Sequence, residues 1–260
     1  MMDKEKQKEI QKERNYQVVK HNALIQNARH KLSTQEQKIL FYLITKIKPE
    51  HSDFKEYEFK IKRFCEVCGI NDRSGRNYDM LKTTVLDLIN KSFWFEVGED
   101  DIDGECISLS WIRKAKVSPK KGIIKLKLDE DMKPYLLDLK KNFTAYDLYY
   151  ILAMKSKYSI RLYELLKSYE YRGNYTFDLE EFKKLLDAEK YGNYSNFVKF
   201  ALDIAIREIN NLSDICVTYK GIKEGRKYNK VEFTIQLKKD ILECAETYKK
   251  IEKILNSAQN

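Results

Sequence analysis

Hydrophobic positions along the chain follow two periods, and the switches between them mark out the elements. The leading stretch Met2 to Arg14 alternates Lys, Glu and Gln without an apolar stripe, so it reads as a frayed, solvated or disordered segment. Ser33-Thr34-Gln35-Glu36 predicts a capping box, and Ile39, Leu40, Leu43, Ile44 and Ile47 mark one face of the helix it opens, ending before Pro49. Tyr57-Glu58-Phe59-Lys60-Ile61 alternates as a strand does. A short helix follows with Phe64, Val67 and Cys68 inward and a stop at Gly69. The polar turn Asn71 to Arg76 leads to a longer helix with Leu81, Val85, Leu88 and Ile89 on its apolar face. Phe93 to Val97, Ile107 to Ile112 and Ile123 to Leu128 read as strands, the first two joined by the acidic stretch Gly98 to Glu105. Asp129 and Pro134 open a helix around Tyr135, Leu136 and Leu139.

The order then recurs. Tyr146 to Met154 and the run Ile160, Leu162, Tyr163, Leu165, Leu166 predict helices, and Tyr175-Thr176-Phe177 a strand. Leu179 to Leu186 is a short helix, Asp187 to Tyr194 a turn and Asn196 to Asn210 a longer helix. Asp214 to Tyr219 and Lys227 to Leu237 are strands around the tip Gly221 to Arg226, and an amphipathic helix closes the chain. Tyr57, Phe59, Phe64 and Cys68 match Tyr175, Phe177, Phe182 and Leu186 at an offset of 118. Leu81, Val85 and Ile89 match Ala201, Ala205 and Ile209 at 120, and Ile39, Tyr42 and Lys46 match Ile160, Tyr163 and Lys167 at 121. An internal repeat of this length means two copies of one domain. Helix, strand, short helix, turn, longer helix and hairpin is the order of a winged helix. The expected fold is therefore α+β, two tandem winged-helix domains at 32–140 and 141–240, with a polar, partly disordered arm at 1–31 and a helical tail at 241–260.

Charge sharpens this picture. The 49 Lys and Arg outnumber the 40 Asp and Glu, a net charge of +9 that favours a polyanionic partner. The excess lies in the arm and in residues 141–240, each at +4, against +1 for residues 32–140. No run of 18 apolar residues suggests a membrane span, the first residues lack the apolar core of a signal peptide, and five scattered Cys read as reduced thiols. These features predict a cytoplasmic protein.

Catalytic chemistry finds little purchase. No Gly precedes a Lys as in a phosphate loop. The three histidines, His21, His30 and His51, form no His-x-His pair of the kind a metal-dependent tyrosine nickase needs. Cys65-x-x-Cys68 has the spacing of half a zinc site, but no second pair follows, so two core-side thiols are expected. Glu99-Asp100-Asp101-x-Asp103 lacks the alternation of a calcium loop and reads as a solvated tip. No cofactor, metal or enzymatic activity is expected.

Duplex binding fits better. A helix-turn-helix inserts the first half of its second helix in the major groove, which here selects Tyr194, Ser195, Asn196, Lys199 and Asp203. The second hairpin carries Lys220, Lys223, Arg226, Lys227 and Lys230 where phosphates would lie, and Lys155, Lys157, Ser159 and Arg161 cluster at a helix start suited to a phosphate. In the first copy Arg73, Arg76, Asn77 and Lys82 are candidates for auxiliary contacts, whereas its acidic hairpin tip is expected to repel the backbone. The strands around Trp94 and Trp111 are candidates for a self-association face, against simple packing within the domain.

Several segments resemble a known family. Val19-Lys20-His21-Asn22-Ala23-Leu24-Ile25, Ala28-Arg29-His30-Lys31-Leu32-Ser33 and Gln35-x-Gln37-Lys38-Ile39 resemble the opening of plasmid replication initiator proteins, the theta-type, iteron-binding initiators with tandem winged helices. Leu139-Lys140-x-Asn142-Phe143-Thr144 and the specific run Lys155-Ser156-Lys157-Tyr158-Ser159-Ile160-Arg161-Leu162-Tyr163-Glu164 resemble its middle, and Glu208-Ile209-Asn210 with Gly225-Arg226-Lys227 its end. The resemblance implies binding to repeats in a plasmid origin, help in opening the duplex and recruitment of the host initiator ATPase and replicative helicase. It also implies autorepression by a homodimer alongside a DNA-binding monomer. Where the family commonly has consecutive basic residues, this chain has Val198-Lys199-Phe200. The rival readings are a winged-helix repressor without an initiation role and an origin-nicking enzyme.

Overall fold

The computed structural model describes residues 4–48, 51–70, 76–96 and 106–257. The first half runs α1 (Lys4–Arg14), β1 (Gln17–His21), α2 (Asn22–Asn27), β2 (Ala28–Arg29), α3 (Thr34–Ile44), β3 (Tyr57–Lys60), α4 (Ile61–Cys68) and α5 (Arg76–Ile89). It continues through β4 (Ser92–Glu96), β5 (Cys106–Ser110), β6 (Ile112–Ser118), β7 (Ile123–Leu128) and α6 (Lys133–Leu136). The second half runs β8 (Phe143–Asp147), α7 (Leu148–Leu152), α8 (Lys157–Ser168), β9 (Asn174–Asp178), α9 (Leu179–Leu185), α10 (Tyr194–Phe197) and α11 (Asp203–Leu212). A turn of π-helix, Val198–Leu202, joins α10 to α11 without a break. The hairpin β10 (Ile215–Glu224) and β11 (Lys227–Leu237) and the closing helix α12 (Ile241–Ser257) complete the chain.

The predicted repeat is visible in the sheets. In the second half the strand order is β10-β11-β9, and in the first it is β6-β7-β3, all antiparallel. Each sheet thus sets a hairpin beside the strand that precedes the short helix, as a winged helix requires. Ser33 caps α3 as expected, its Oγ accepting from the Glu36 amide while Glu36 Oε2 accepts from the Ser33 amide at 2.6 Å. Cys65 and Cys68 are both buried on α4, on the core side.

The hairpin of the first half is not the one the acidic stretch suggested. Ile107 to Ile112 is not one strand, because the chain changes sheets at Trp111. That side chain is buried, stacked on Phe93 at a centroid distance of 4.5 Å, and its carbonyl accepts from the Asp129 amide. Residues before it pair with β4 in a separate sheet, β2-β4-β5, and residues after it pair with β7. The wing is therefore β6–β7, and its tip is Pro119-Lys120-Lys121-Gly122. The acidic stretch Gly98 to Glu105 belongs to the other hairpin and lies outside the described residues, apart from its flanking strands.

The expected polar arm is built into the fold. In α1, Ile10 is buried and the Arg14 guanidinium donates to the carbonyls of Val67 (2.9 Å) and Glu66 (3.2 Å) at the end of α4. Glu13 accepts from the Tyr42 hydroxyl, Lys46 and Arg63 at 2.6–2.8 Å, so one apolar side chain, one buried guanidinium and one shared carboxylate dock a helix that has no continuous stripe. β1 pairs antiparallel with β8, Val19 opposite Ala145, so a strand of the expected arm binds the first strand of the second half. Tyr146 to Met154 is accordingly strand then helix, not one helix.

Other contacts weld the halves. Lys20 on β1 is buried with its Nζ 2.5 Å from Glu164 Oε1 on α8, and the Tyr146 hydroxyl donates to the same oxygen. Burial pushes the Lys20 amine down to about 8 against the pull of that carboxylate. Arg29 reaches Glu181 on α9 at 2.6 Å. The closing helix returns to the first half, where Leu255 packs against Gly69 and Glu252 pairs with Arg14. Gly69 ends α4 at φ +65°, and a Cβ there would lie 2.9 Å from the Leu255 backbone, so only Gly permits this approach.

Candidate nucleic-acid interface

The helix from α10 through α11 keeps Phe197, Ala201, Ala205 and Ile209 fully buried at a constant spacing of four. A straight α-helix would rotate that row by about 40° per step. The π turn at Val198–Leu202 supplies extra residues per turn and holds the row on the core. The same correction aligns the opposite face, where Ser195, Asn196, Lys199, Phe200, Asp203 and Arg207 are exposed. Sequence reasoning selected four of these and missed Phe200 and Arg207. Their four-residue offset from Asn196 and Asp203 places them on that face only once the π turn is known, since a regular helix would rotate the row away.

Tyr194 sits at the junction of the helix and the hairpin. It is half-buried, and its ring stacks on Tyr228 of β11 at 3.9 Å and 16°. Gly221 lies beneath that pair, where a Cβ would come within 2.3 Å of the Tyr194 hydroxyl. Asp203 likewise accepts a 2.6 Å hydrogen bond from the Tyr219 hydroxyl. The two contacts tie the helix to the hairpin, so helix and wing present one rigid surface.

The second hairpin holds its cations in two states. Lys220 is paired with Glu232 at 2.5 Å and Lys230 with Glu224 at 3.4 Å. Arg226 and Lys227 at the tip, and Lys223 over the Tyr228 ring, are exposed and meet no carboxylate among the described residues.

The start of α8 departs from expectation. Ser159 and Arg161 are 0% and 3% exposed. Arg161 donates to the carbonyls of Ala28 (2.7 Å) and Leu185 (3.1 Å), which fixes it inside the fold. Lys157 is paired with Asp187. The amides of Lys155 and Ser156 donate to the Glu208 carboxylate at 3.1–3.2 Å. The protein's own Glu208 thus occupies the seat proposed for a phosphate, and only the Lys155 side chain stays open to solvent there. Ser159 and Arg161 are therefore framework residues, because their polar atoms face the core rather than a groove.

In the first half Lys82 is exposed on α5. Arg73 and the side chains of Arg76 and Asn77 lie outside the described residues. The β6–β7 hairpin supplies what the sequence reading missed. Arg113, Lys114, Lys116, Lys120 and Lys121 are exposed and unpaired among the described residues. Lys114 stands opposite Lys127 and Lys116 opposite Lys125 across the strands. Like charges in register destabilise a hairpin. Glu58 and Glu130 relieve Lys125 and Lys127, and an external polyanion would relieve the rest. The sequence signal is Lys120-Lys121-Gly122, which becomes a wing tip only once the strand break at Trp111 is recognised.

Among the described residues no group of His, Cys, Asp or Glu is arranged to hold a metal ion, and no helix is long and apolar enough to cross a membrane. His30 is buried between Phe93 and Trp111, away from His21, which meets Tyr135 edge-on.

Comparison with known proteins adds independent findings. The family model described as the first winged helix of initiator replication proteins matches residues 17–167, and that of the second winged helix matches 178–235. A replication initiation protein of Escherichia coli is 25% identical over 220 residues, covering 81% of this chain and 66% of the relative. The PI protein of Escherichia coli is 31% identical over 200 residues, covering 70% of this chain and 63% of the relative. The chain thus spans slightly less than two thirds of each relative. The crystal structure of the Pi initiator protein in complex with iteron DNA superposes with a TM-score of 0.69 at 21% identity, covering 87% of this chain and 99% of that one.

Proposed function

The chain belongs to the initiator replication protein family, and from that membership we propose that it binds repeated duplex sites in a plasmid origin and initiates replication there. The observation that carries the proposal is the rigid unit of helix and wing in the second half. Its row from Asn196 to Arg207 is exposed as a groove-reading helix requires, and Arg226 and Lys227 at the hairpin tip serve as phosphate clamps. At the repeat offset of 120 the corresponding row in α5 includes Asp79 and Asp87, which disfavour entry into an anionic groove. The first half then contributes affinity through its basic wing, and the second contributes sequence readout. That the Pi protein was crystallised with iteron DNA supports the same assignment for this chain.

In this reading the protein is not an enzyme. Binding energy strains the duplex, and the host initiator ATPase and replicative helicase supply the chemistry. Self-association and autorepression belong to the same proposal. Trp94 is 60% exposed on β4, and among the described residues β5 is the edge of its sheet, which offers a two-fold contact. Trp111 drops out of that surface because it is buried.

Footprinting on the origin region of the plasmid that carries the gene tests the central claim. Protection of direct repeats at nanomolar protein, with the repeats also required for replication when the protein is supplied in trans, is the expected result. Protection confined to the gene's own promoter, with replication independent of the protein, would favour the repressor reading. Relaxation of supercoiled origin DNA by a metal-dependent nick would favour the enzyme.

A further inference from the structure

Phe200 is an aromatic side chain held out toward solvent in the middle of a charged helix face. It is 44% exposed, with one side of its ring left open to solvent. Its neighbours on that face are Asn196 one turn before, Lys199 beside it and Asp203 one turn after. The ring does not hang free. Tyr191, from the turn before α10, lies nearly parallel to it at 6.0 Å and 21°. Tyr191 is itself half-buried and its amide donates to the Ala188 carbonyl, so the platform is fixed. Phe200 also sits within the π turn, the local distortion that keeps it in line with Asn196. Single π turns inside α-helices are frequent at functional sites.

We propose that Phe200 is a specificity-determining residue that reads the C5-methyl group of thymine in the major groove. The inference rests on the assignment of α10 and α11 as the base-reading helix. The major groove offers one apolar feature, the thymine methyl, and an aromatic ring on the entering helix is one of the few groups that gain by covering it. Lys199 next to it suits the O6 and N7 acceptors of guanine, and Asn196 suits the N6 and N7 edge of adenine. The row then specifies a short mixed motif in which one position is fixed by methyl contact alone. This accounts for an aromatic residue where consecutive cations would give only charge.

The test is selection of the full chain on a randomised 30-base-pair duplex pool, followed by deoxyuridine substitution in the enriched duplex. Deoxyuridine removes only the methyl group and leaves pairing intact. The expected result is one thymine whose replacement weakens binding about fourfold, the equivalent of one buried methyl. Phe200→Ala should bind the thymine and uracil duplexes equally, and Phe200→Leu should keep most of the preference. Phe200 is 44% exposed and its ring stacks on Tyr191 alone among the aromatic rings described, so both variants should stay folded, with a thermal transition lowered slightly in Phe200→Ala. An enriched motif with no methyl-sensitive thymine, or a preference that survives in Phe200→Ala, would overturn the inference and leave the base-reading helix standing. The absence of any enriched motif would overturn the base-reading assignment and this inference together.

Discussion

Neutralising the two hairpin tips separates the contributions of the halves. The perturbation is a pair of double variants, Lys120→Ala with Lys121→Ala on the first wing, and Arg226→Ala with Lys227→Ala on the second. All four side chains are exposed and unpaired among the described residues, so their loss should leave folding intact. Each cation that neutralises a phosphate releases condensed counterions and adds about 0.9 to the slope of log affinity against log salt. Each double variant should therefore flatten the slope by about 1.8. Between 50 and 200 mM salt the wild-type protein then loses about 12-fold more affinity than either variant. Lys220 and Lys230 must leave Glu232 and Glu224 to reach a phosphate, so their removal should change the slope by less than one contact each. Fluorescence anisotropy over a salt series measures this on the origin repeat and on a random duplex. The slope change should be the same on both, since phosphates carry no sequence. If the first pair leaves the slope at its wild-type value, the β6–β7 hairpin is off the DNA. If neither pair changes it, the proposed docking of the wings is wrong.

Four other outcomes follow from the structure. Glu164→Leu strands Lys20 in the core and also takes the acceptor from the Tyr146 hydroxyl and the carboxylate from Arg161, so it should cost about 3–5 kcal/mol in urea unfolding, and adding Lys20→Met should restore part of it; a double variant no better than the single would deny the coupling. Gly69→Ala forces a Cβ against the Leu255 backbone at positive φ and should lower stability by about 1–3 kcal/mol, with the melting temperature as the check. Burial holds His30 neutral in the folded state, aided by nearby Arg161 and Lys20, whereas the unfolded chain takes up a proton near pH 6.5. Stability should thus be full above that pH and fall below it by up to about 1.4 kcal/mol per unit, and His30→Leu should remove this component from the pH series. Trp94→Asp should shift the mass measured by light scattering toward the monomer, and an unchanged mass in a folded variant would exclude the β4–β5 sheet as the self-association face.

The pairing of halves shows why the arm was misread. Periodicity over Met2 to Arg14 reports only whether a segment can bury its own stripe, and α1 buries little beyond Ile10 and the stem of Arg14. Its partners are the backbone carbonyls of Glu66 and Val67 and the distant side chains of Tyr42, Lys46 and Arg63, which converge on Glu13, and no periodicity within the segment displays them. The phosphate seat at α8 failed for a related reason. Lys155 to Arg161 has the composition of an anion site, yet Glu208, some fifty residues later in sequence, caps the amides first. A charged side chain is free only if no distant group claims it, and sequence spacing does not report such claims.

What the sequence determined by itself is the repeat, and with it the fold. Helix starts, strand alternation and the stop at Gly69 are local matters of backbone propensity and apolar period, and they recur at nearly constant offset in both copies. The basic tip Gly225-Arg226-Lys227 and the row of Asn196, Lys199 and Asp203 were legible for the same reason. The tertiary structure decided which hairpin is the wing of the first half, because Trp111 had to be buried before the strand could change sheets. It decided that Tyr194 braces the wing and that Arg161 holds Ala28 and Leu185. It also exposed Phe200, since a turn of π-helix shifts the phase of one helix by an amount no heptad or 3.6-residue pattern encodes. Local propensity fixes where elements form, while burial and long-range hydrogen bonds select which of their side chains remain available to a partner.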